Sequence, residues 1–162
     1  MLGPSVVALG YVLYEQIEQI RGKVISILTA VFVGSVVGIV SVVLIAKILG
    51  GDTVLLASLA PKSVTTPIAI SLAEKNGGVP ALAAAFVVIC GVFGGLIGPI
   101  LLQKMGIKSK TAQGLAMGSA AHALGTARAM EMGAIQGAMS GLAIGIMGIM
   151  TALLMPFAKL LF

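Results

Sequence analysis

Tryptophan is absent from this 162-residue chain, cysteine occurs once, and charge is scarce, with ten basic and five acidic side chains making up 9% of the residues. Each shortage excludes something. A lone cysteine, Cys90, allows neither an intrachain disulfide nor a thiolate metal cluster, and its place in an apolar run gives it the role of a small buried hydrophobe. With aromatics at 4% and the cations scattered, the net charge of +5 lacks the stacking partners and concentrated basic face of a nucleic-acid binder. There is no Gly-Lys-Ser/Thr phosphate loop, no His-x-x-x-His or Glu-x-x-His pair, and no Ser-His-carboxylate set with an obvious geometry. Neither an enzyme, nor a metal, nor a cofactor is therefore expected.

What the chain has in quantity is apolar surface. Hydrophobic residues reach 59% and mean hydropathy is +1.15, whereas a soluble domain carries about 25% charged residues. Three runs, 24–49, 80–103 and 133–158, contain one charge between them, Lys47. A hydrocarbon core of about 30 Å needs about 20 apolar residues at about 1.5 Å each, so every run is long enough to cross. The class is all-α: a polytopic transmembrane helical protein. Residues 1–10 carry no basic leader and lead into Tyr11, Glu15 and Glu18, which argues against a cleavable signal peptide. Glu18 and Arg21, three apart, read as a weak pair at a solvated helix end.

Orientation depends on residues 54–75. If they dip into the membrane and return, Arg21, Lys23, Lys104, Lys108 and Lys110 share one side, opposite Lys47, Asp52, Glu74 and Lys75. The first side is then cytoplasmic by the positive-inside rule. If they cross completely, the asymmetry largely disappears. The dipping reading is preferred.

A weak repeat runs through the chain. Gly34 and Gly38 correspond to Gly91 and Gly95 at a spacing of 57, Pro4 corresponds to Pro61, and residues 59–63 are loosely echoed at 115–119. Such symmetry is expected where a transporter duplicates a unit of one interrupted and one spanning helix. The pairs Gly34/Gly38, Gly91/Gly95, Gly114/Gly118 and Gly137/Gly141 also fit close helix packing in lipid, the plainer explanation for most of them.

Residues 61–67, Pro-Lys-Ser-Val-Thr-Thr-Pro, lie between apolar stretches each too short to span. Pro67 removes a backbone donor and disfavours helix at Thr66, so the helix must be interrupted. Thr66 then reads as an N-cap and Pro67 as the first helical residue, with free amides and the positive dipole end at membrane depth. Lys62, Ser63, Thr65 and Thr66 around such an end make a candidate carboxylate site. The alternative is a kinked surface connection with Lys62 in water.

A second polar stretch, 111–132, places Ser119, His122 and Thr126 on one face of a continuous helix, near Gly114 and Gly118. An intramembrane histidine is either hydrogen-bonded in a packed interface or part of a substrate or proton path. Arg128 joins this group if Gly125 breaks the helix, and otherwise pairs with Glu131 or snorkels.

PKSVTTPIA at 61–69 and GLAMGSAAHALGTAR at 114–128 closely resemble the two signature stretches of the bacterial LrgB/CidB family, which includes the YohK proteins. GPSVVALGYVLYEQ at 3–16 resembles that family's more N-terminal motif. The resemblance covers essentially the whole chain and implies a single LrgB-like transmembrane domain over 1–162, lacking about two helices that family members usually carry ahead of it. It implies two functions. One is an antiholin-like protein that modulates murein hydrolase activity and autolysis with a small LrgA/CidA-type membrane partner. The other is carriage of small monocarboxylates, as for a plastid glycolate/glycerate relative and bacterial members linked to pyruvate uptake. Expected partners are the lipid bilayer, a small carboxylate and further copies of the chain, in a bacterial cytoplasmic membrane. The substrate-binding expectation comprises Lys62, Ser63, Thr65, Thr66, Ser119, His122, Thr126 and Arg128.

Overall fold

A computed structural model of the chain describes Tyr11, Tyr14 and residues 21–162. Apart from Tyr11 and Tyr14, the motif at 3–16 lies outside the described residues, as do the repeat partner Pro4 and the pairing of Glu18 with Arg21. Among the described residues there are six α-helices and no strand: α1 (Val24–Ile48), α2 (Thr53–Leu59), α3 (Thr66–Lys75), α4 (Pro80–Lys104), α5 (Lys110–Met132) and α6 (Ala134–Ala158), closed by a 3-10 turn, Lys159–Leu161. At about 1.5 Å per residue, the 25 residues of α1, α4 and α6 each give about 37 Å, enough for a tilted crossing. Their outer faces carry exposed Phe32, Val37, Phe93, Leu96, Ile149 and Leu153, which is where lipid tails belong.

The segment from α2 to α3 does not cross. A straight helix of its 23 residues would set its ends about 33 Å apart, yet the Val79 amide, just past α3, donates to Ser58 Oγ in α2 at 2.8 Å. Gly78 makes that return possible, because a Cβ there would lie 2.8 Å from the Ser58 amide nitrogen. Leu56 and Ala60 pack with Val43 and Ala46 at the C-terminal end of α1, while Val64 at the tip packs with Val31, Ala143 and Met147. The segment is a re-entrant hairpin that enters beside the end of α1, turns inside the bundle and leaves where it came in.

A second hairpin enters from the other side. The backbone of α5 departs from helical geometry at His122, with φ 41° and ψ −126°, so a rod broken there replaces the expected continuous helix, and the break falls at His122 rather than Gly125. The rod folds back on itself: Ala129 packs beside Met117 and Leu102, and Gly125 sits against the Met117 carbonyl. Its two ends meet, since Gln136 Nε2, just after α5, donates to Gln113 Oε1 near its start at 3.2 Å.

The repeat is thereby given a structural meaning. Residues 53 and 110 begin the two hairpins and residues 75 and 132 end them, each pair 57 apart, and each hairpin is followed by a crossing helix. Because the hairpins enter from opposite faces, the two units are inverted relative to each other. Arg21, Lys23, Lys104, Lys108 and Lys110 lie on the face from which α5 enters. Lys47, Asp52, Glu74 and Lys75 lie on the other, where Lys47 Nζ also donates to the Leu161 carbonyl at 2.8 Å.

Candidate functional site

Helix α3 starts at Thr66 with Thr65 as its N-cap, one residue earlier than Pro67 suggests, because proline's fixed φ suits the first or second helical position equally. The Thr65 side chain makes no capping bond and its backbone is extended, at φ −66° and ψ 149°. No backbone hydrogen bond outside the helices is donated by the amides of residues 63–66 or of Ile68, so the α3 dipole ends in unpaired donors. Lys62, half-buried, uses one of its three donors on Ser63 Oγ at 3.0 Å.

Lys62 and Ser63 open into a cavity of about 480 Å³ that is also lined by Ser119 from α5, Met147 from α6, and Gly34 and Gly38 from α1. Among the described residues the two glycines do not serve close packing, as their spacing suggested. No described atom lies within 4 Å of a Cβ built on Gly34, and one built on Gly38 would meet only Ser63 Oγ, at 4.0 Å. They leave the space that the cavity occupies. Among the described residues no carboxylate lines it, and Asp52, Glu74 and Glu131 are all exposed elsewhere. Among the described residues Lys62 thus has no neutralising partner in an otherwise apolar and hydroxyl-bearing recess.

The remaining candidates separate. His122 is buried at 3% exposure, with Nε2 donating to the Val87 carbonyl at 2.9 Å, and its ring fills the space above Gly91 of α4. Since a carbonyl only accepts, Nε2 carries the proton. Thr126 is buried against α6, where its hydroxyl and that of Ser140 share a hydrogen bond of 2.7 Å. Arg128 lies in an ion pair with Glu131, both about half or more exposed, along a separate groove with Gly91, Gly95 and Leu124. Lys62, Ser63 and Ser119 therefore share the cavity, Thr65 and Thr66 head the adjoining half-helix, and Thr126 and Arg128 sit apart from it.

Gly114 and Gly118 do pack as their spacing predicts. A Cβ on either would overlap the Gln136 or Ser140 carbonyl oxygen, which fixes α5 against α6. Five further buried polar side chains are not among the expected residues: Ser35, Ser58, Gln136, Ser140 and Thr151. The available signal was a lone polar residue inside an apolar run, which hydropathy averages away.

These features define a class: an integral membrane protein built from two inverted units, each with a re-entrant hairpin and a crossing helix, whose hairpin tips approach one recess. The sequence profile of the LrgB-like family matches residues 1–160, and the chain belongs to that family. It is similar to the Bacillus subtilis protein YxaC, 41% identical over 162 residues, covering 100% of this chain and 70% of YxaC. A Haemophilus influenzae protein is 39% identical, covering 97% of this chain and 68% of that protein. The antiholin-like protein LrgB of Bacillus mycoides is 36% identical, covering 96% and 67%. No solved structure matches.

Proposed function

We propose that the protein is a carrier for small monocarboxylates of the glycolate, glycerate and pyruvate class in the bacterial cytoplasmic membrane, with the cation-rich face inside. The observation that carries this reading is Lys62 beside the unpaired amides at the head of α3, in a cavity of about 480 Å³ that no carboxylate lines among the described residues. A single ammonium suits one carboxylate, and the hydroxyls of Ser63 and Ser119 suit a neighbouring hydroxyl or keto oxygen. Non-helical backbone at membrane depth is tolerated where it lines such a cavity, and inverted units provide for alternating access around it. Thr65 and Thr66 belong to the same pole. His122, Thr126 and Arg128 act at one remove, by holding the second hairpin.

A second reading, modulation of autolysis with an LrgA/CidA-type partner, is favoured by the antiholin-like name of the Bacillus mycoides relative. The two are compatible if acid flux is the molecular act and altered lysis its outcome. Proteoliposomes containing the protein and offered radiolabelled glycolate or pyruvate separate them. The carrier reading expects saturable uptake that falls at least about tenfold in Lys62→Ala, a loss of about 1.4 kcal/mol of binding or more. Uptake that never saturates, release of a trapped dye, or indifference to Lys62→Ala would overturn it.

A further inference from the structure

The recess around Lys62 is polar at one end and apolar along the rest. Lys62 and Ser63 from the first hairpin and Ser119 from α5 carry its polar side-chain atoms, and every other described lining residue is alanine, glycine, valine, leucine or methionine. The direction of that gradient follows from the helices. Both α1 and the first half of α5 run inward from the cation-rich face, α1 from Val24 and α5 from Lys110. Along α1 the lining passes from Ala30 through Gly34 to Gly38, and along α5 from Ala112 through Ala116 to Ser119. A Cβ built on Gly38 meets Ser63 Oγ at 4.0 Å, and that oxygen accepts from Lys62 Nζ at 3.0 Å, so the deep end of the α1 row lies at the ammonium. From Gly38 back to Ala30 the helix covers about 12 Å, and this apolar stretch leads toward the cation-rich face.

A two-carbon acid uses little of it. At about 30 Å³ per water-sized group, the non-hydrogen atoms of glycolate fill about a third of a cavity of about 480 Å³. Water left against the alanine and leucine walls gains no hydrogen bond from them, so replacing it with a methylene is favourable. Gly34 keeps the stretch open, because no described atom lies within 4 Å of a Cβ built there and a longer side chain would extend into the recess.

We propose that the recess prefers aliphatic 2-oxo and 2-hydroxy acids longer than pyruvate, with Gly34 setting the chain length admitted, an inference that rests on the carrier reading and moves its optimum toward longer members of the class. The carboxylate sits at Lys62 and the amides heading α3, and the adjacent oxygen takes a hydroxyl of Ser63 or Ser119. The hydrocarbon tail lies along Gly34, Ala30 and Leu115. A second carboxylate at the tail end would meet no polar side chain among the described lining residues, which disfavours dicarboxylates.

The test is binding of radiolabelled 4-methyl-2-oxopentanoate to the purified full chain in nanodiscs, with competition by unlabelled straight-chain 2-oxo acids of increasing length, beside uptake of the same acids into proteoliposomes. Binding should be saturable and at least about tenfold weaker in Lys62→Ala. Competition should strengthen about fourfold for each methylene beyond pyruvate, the ~0.8 kcal/mol of its burial, until the stretch along α1 is filled. Gly34→Leu should lower the ratio of affinities between 4-methyl-2-oxopentanoate and pyruvate by about fivefold or more, and Gly34→Ala should lower it less, in the same direction. Equal competition by pyruvate and the longer acids overturns the preference, and the carrier reading survives that result if pyruvate uptake is saturable and depends on Lys62. An unchanged ratio in both Gly34 variants, with melting temperatures no lower than the wild type's, overturns the role of Gly34. Length-dependent binding without uptake of any of these acids sinks the carrier reading and leaves the preference of the recess standing. No saturable binding of any of them overturns both.

Discussion

The first hairpin leaves residues 60–65 outside any helix, with a lysine, a serine and a row of unpaired backbone groups at its tip, whereas the second turns on His122 alone and is sealed by glycines on three sides. Gly91 receives the His122 ring, Gly114 and Gly118 admit the α6 backbone, and Gly125 admits the Met117 carbonyl. Two elements of the same length and plan thus differ in where backbone polarity goes. In the second it is consumed by packing, and in the first it is left without a protein partner among the described residues. On the proposed carrier reading, an inverted repeat lets one hairpin be a rigid wall while its twin is a binding element.

The sharpest way to break that comparison is to show that the hairpins do not enter from opposite faces. Single cysteines at Lys23 and at Lys108, in a Cys90→Ala background, are expected to react with an impermeant maleimide from the same side, an all-or-none outcome. Labelling from opposite sides would require residues 53–75 to cross and would dissolve the inverted repeat.

Next in size is the contrast between two Gly-x-x-x-Gly pairs that look alike in sequence. Gly118→Val forces side-chain atoms into the Ser140 carbonyl and the Ala143 methyl, a backbone-limited overpacking that costs about 3 kcal/mol. Gly34→Ala meets open space and gains helix propensity, so its stability should be unchanged or raised by up to about 1 kcal/mol. Thermal melting in detergent checks both. A Gly34→Ala as damaging as Gly118→Val would mean that α1 is closely packed where the cavity is drawn.

His122 gives a smaller effect with a diagnostic sign. It combines a positive φ, which costs a non-glycine residue about 1–2 kcal/mol, with a buried hydrogen bond to Val87. His122→Ala keeps the strained backbone and loses the bond, for a cost of about 1–2 kcal/mol or more if the Val87 carbonyl stays unpaired. His122→Gly loses the bond and sheds the strain, so it should melt above His122→Ala. The reverse order would remove the argument that the turn itself is strained.

Much of this was legible in the residues. The three spans were, because about twenty apolar residues without charge have few other uses. The interruption at 61–67 was, because Pro67 acts locally through its own ring. The recess site was legible in Lys62 and Ser63, whose types declare themselves in an apolar chain. Other features depended on partners distant in sequence. Gly34/Gly38 and Gly114/Gly118 are indistinguishable until the facing helix is known. His122 carries no local signal for a turn, and neither Gly125 nor a helical wheel anticipates one, because the surrounding packing against Gly91 and Val87 imposes it. Thr126 shares an apparent face with Ser119 only while the helix is assumed unbroken, and Arg128 stays apart because the break falls at His122 rather than at Gly125. Thr151 vanished into its hydropathy window.

The smallest effect bears on whether the head of the first hairpin is held for structure or for a ligand. An N-cap threonine that bonds the first turn contributes about 1 kcal/mol or more to a helix, and its loss shows in stability. Thr65 makes no such bond. Thr65→Ala should therefore shift stability by less than about 0.5 kcal/mol while, on the proposed carrier reading, weakening glycolate uptake several-fold, because its hydroxyl stands beside the amides proposed to receive the acid. Melting curves and uptake measured on the same preparation decide it. If stability falls by a full cap's worth and uptake changes only in proportion to folded protein, the first hairpin is sealed like the second, and the contrast between them is lost.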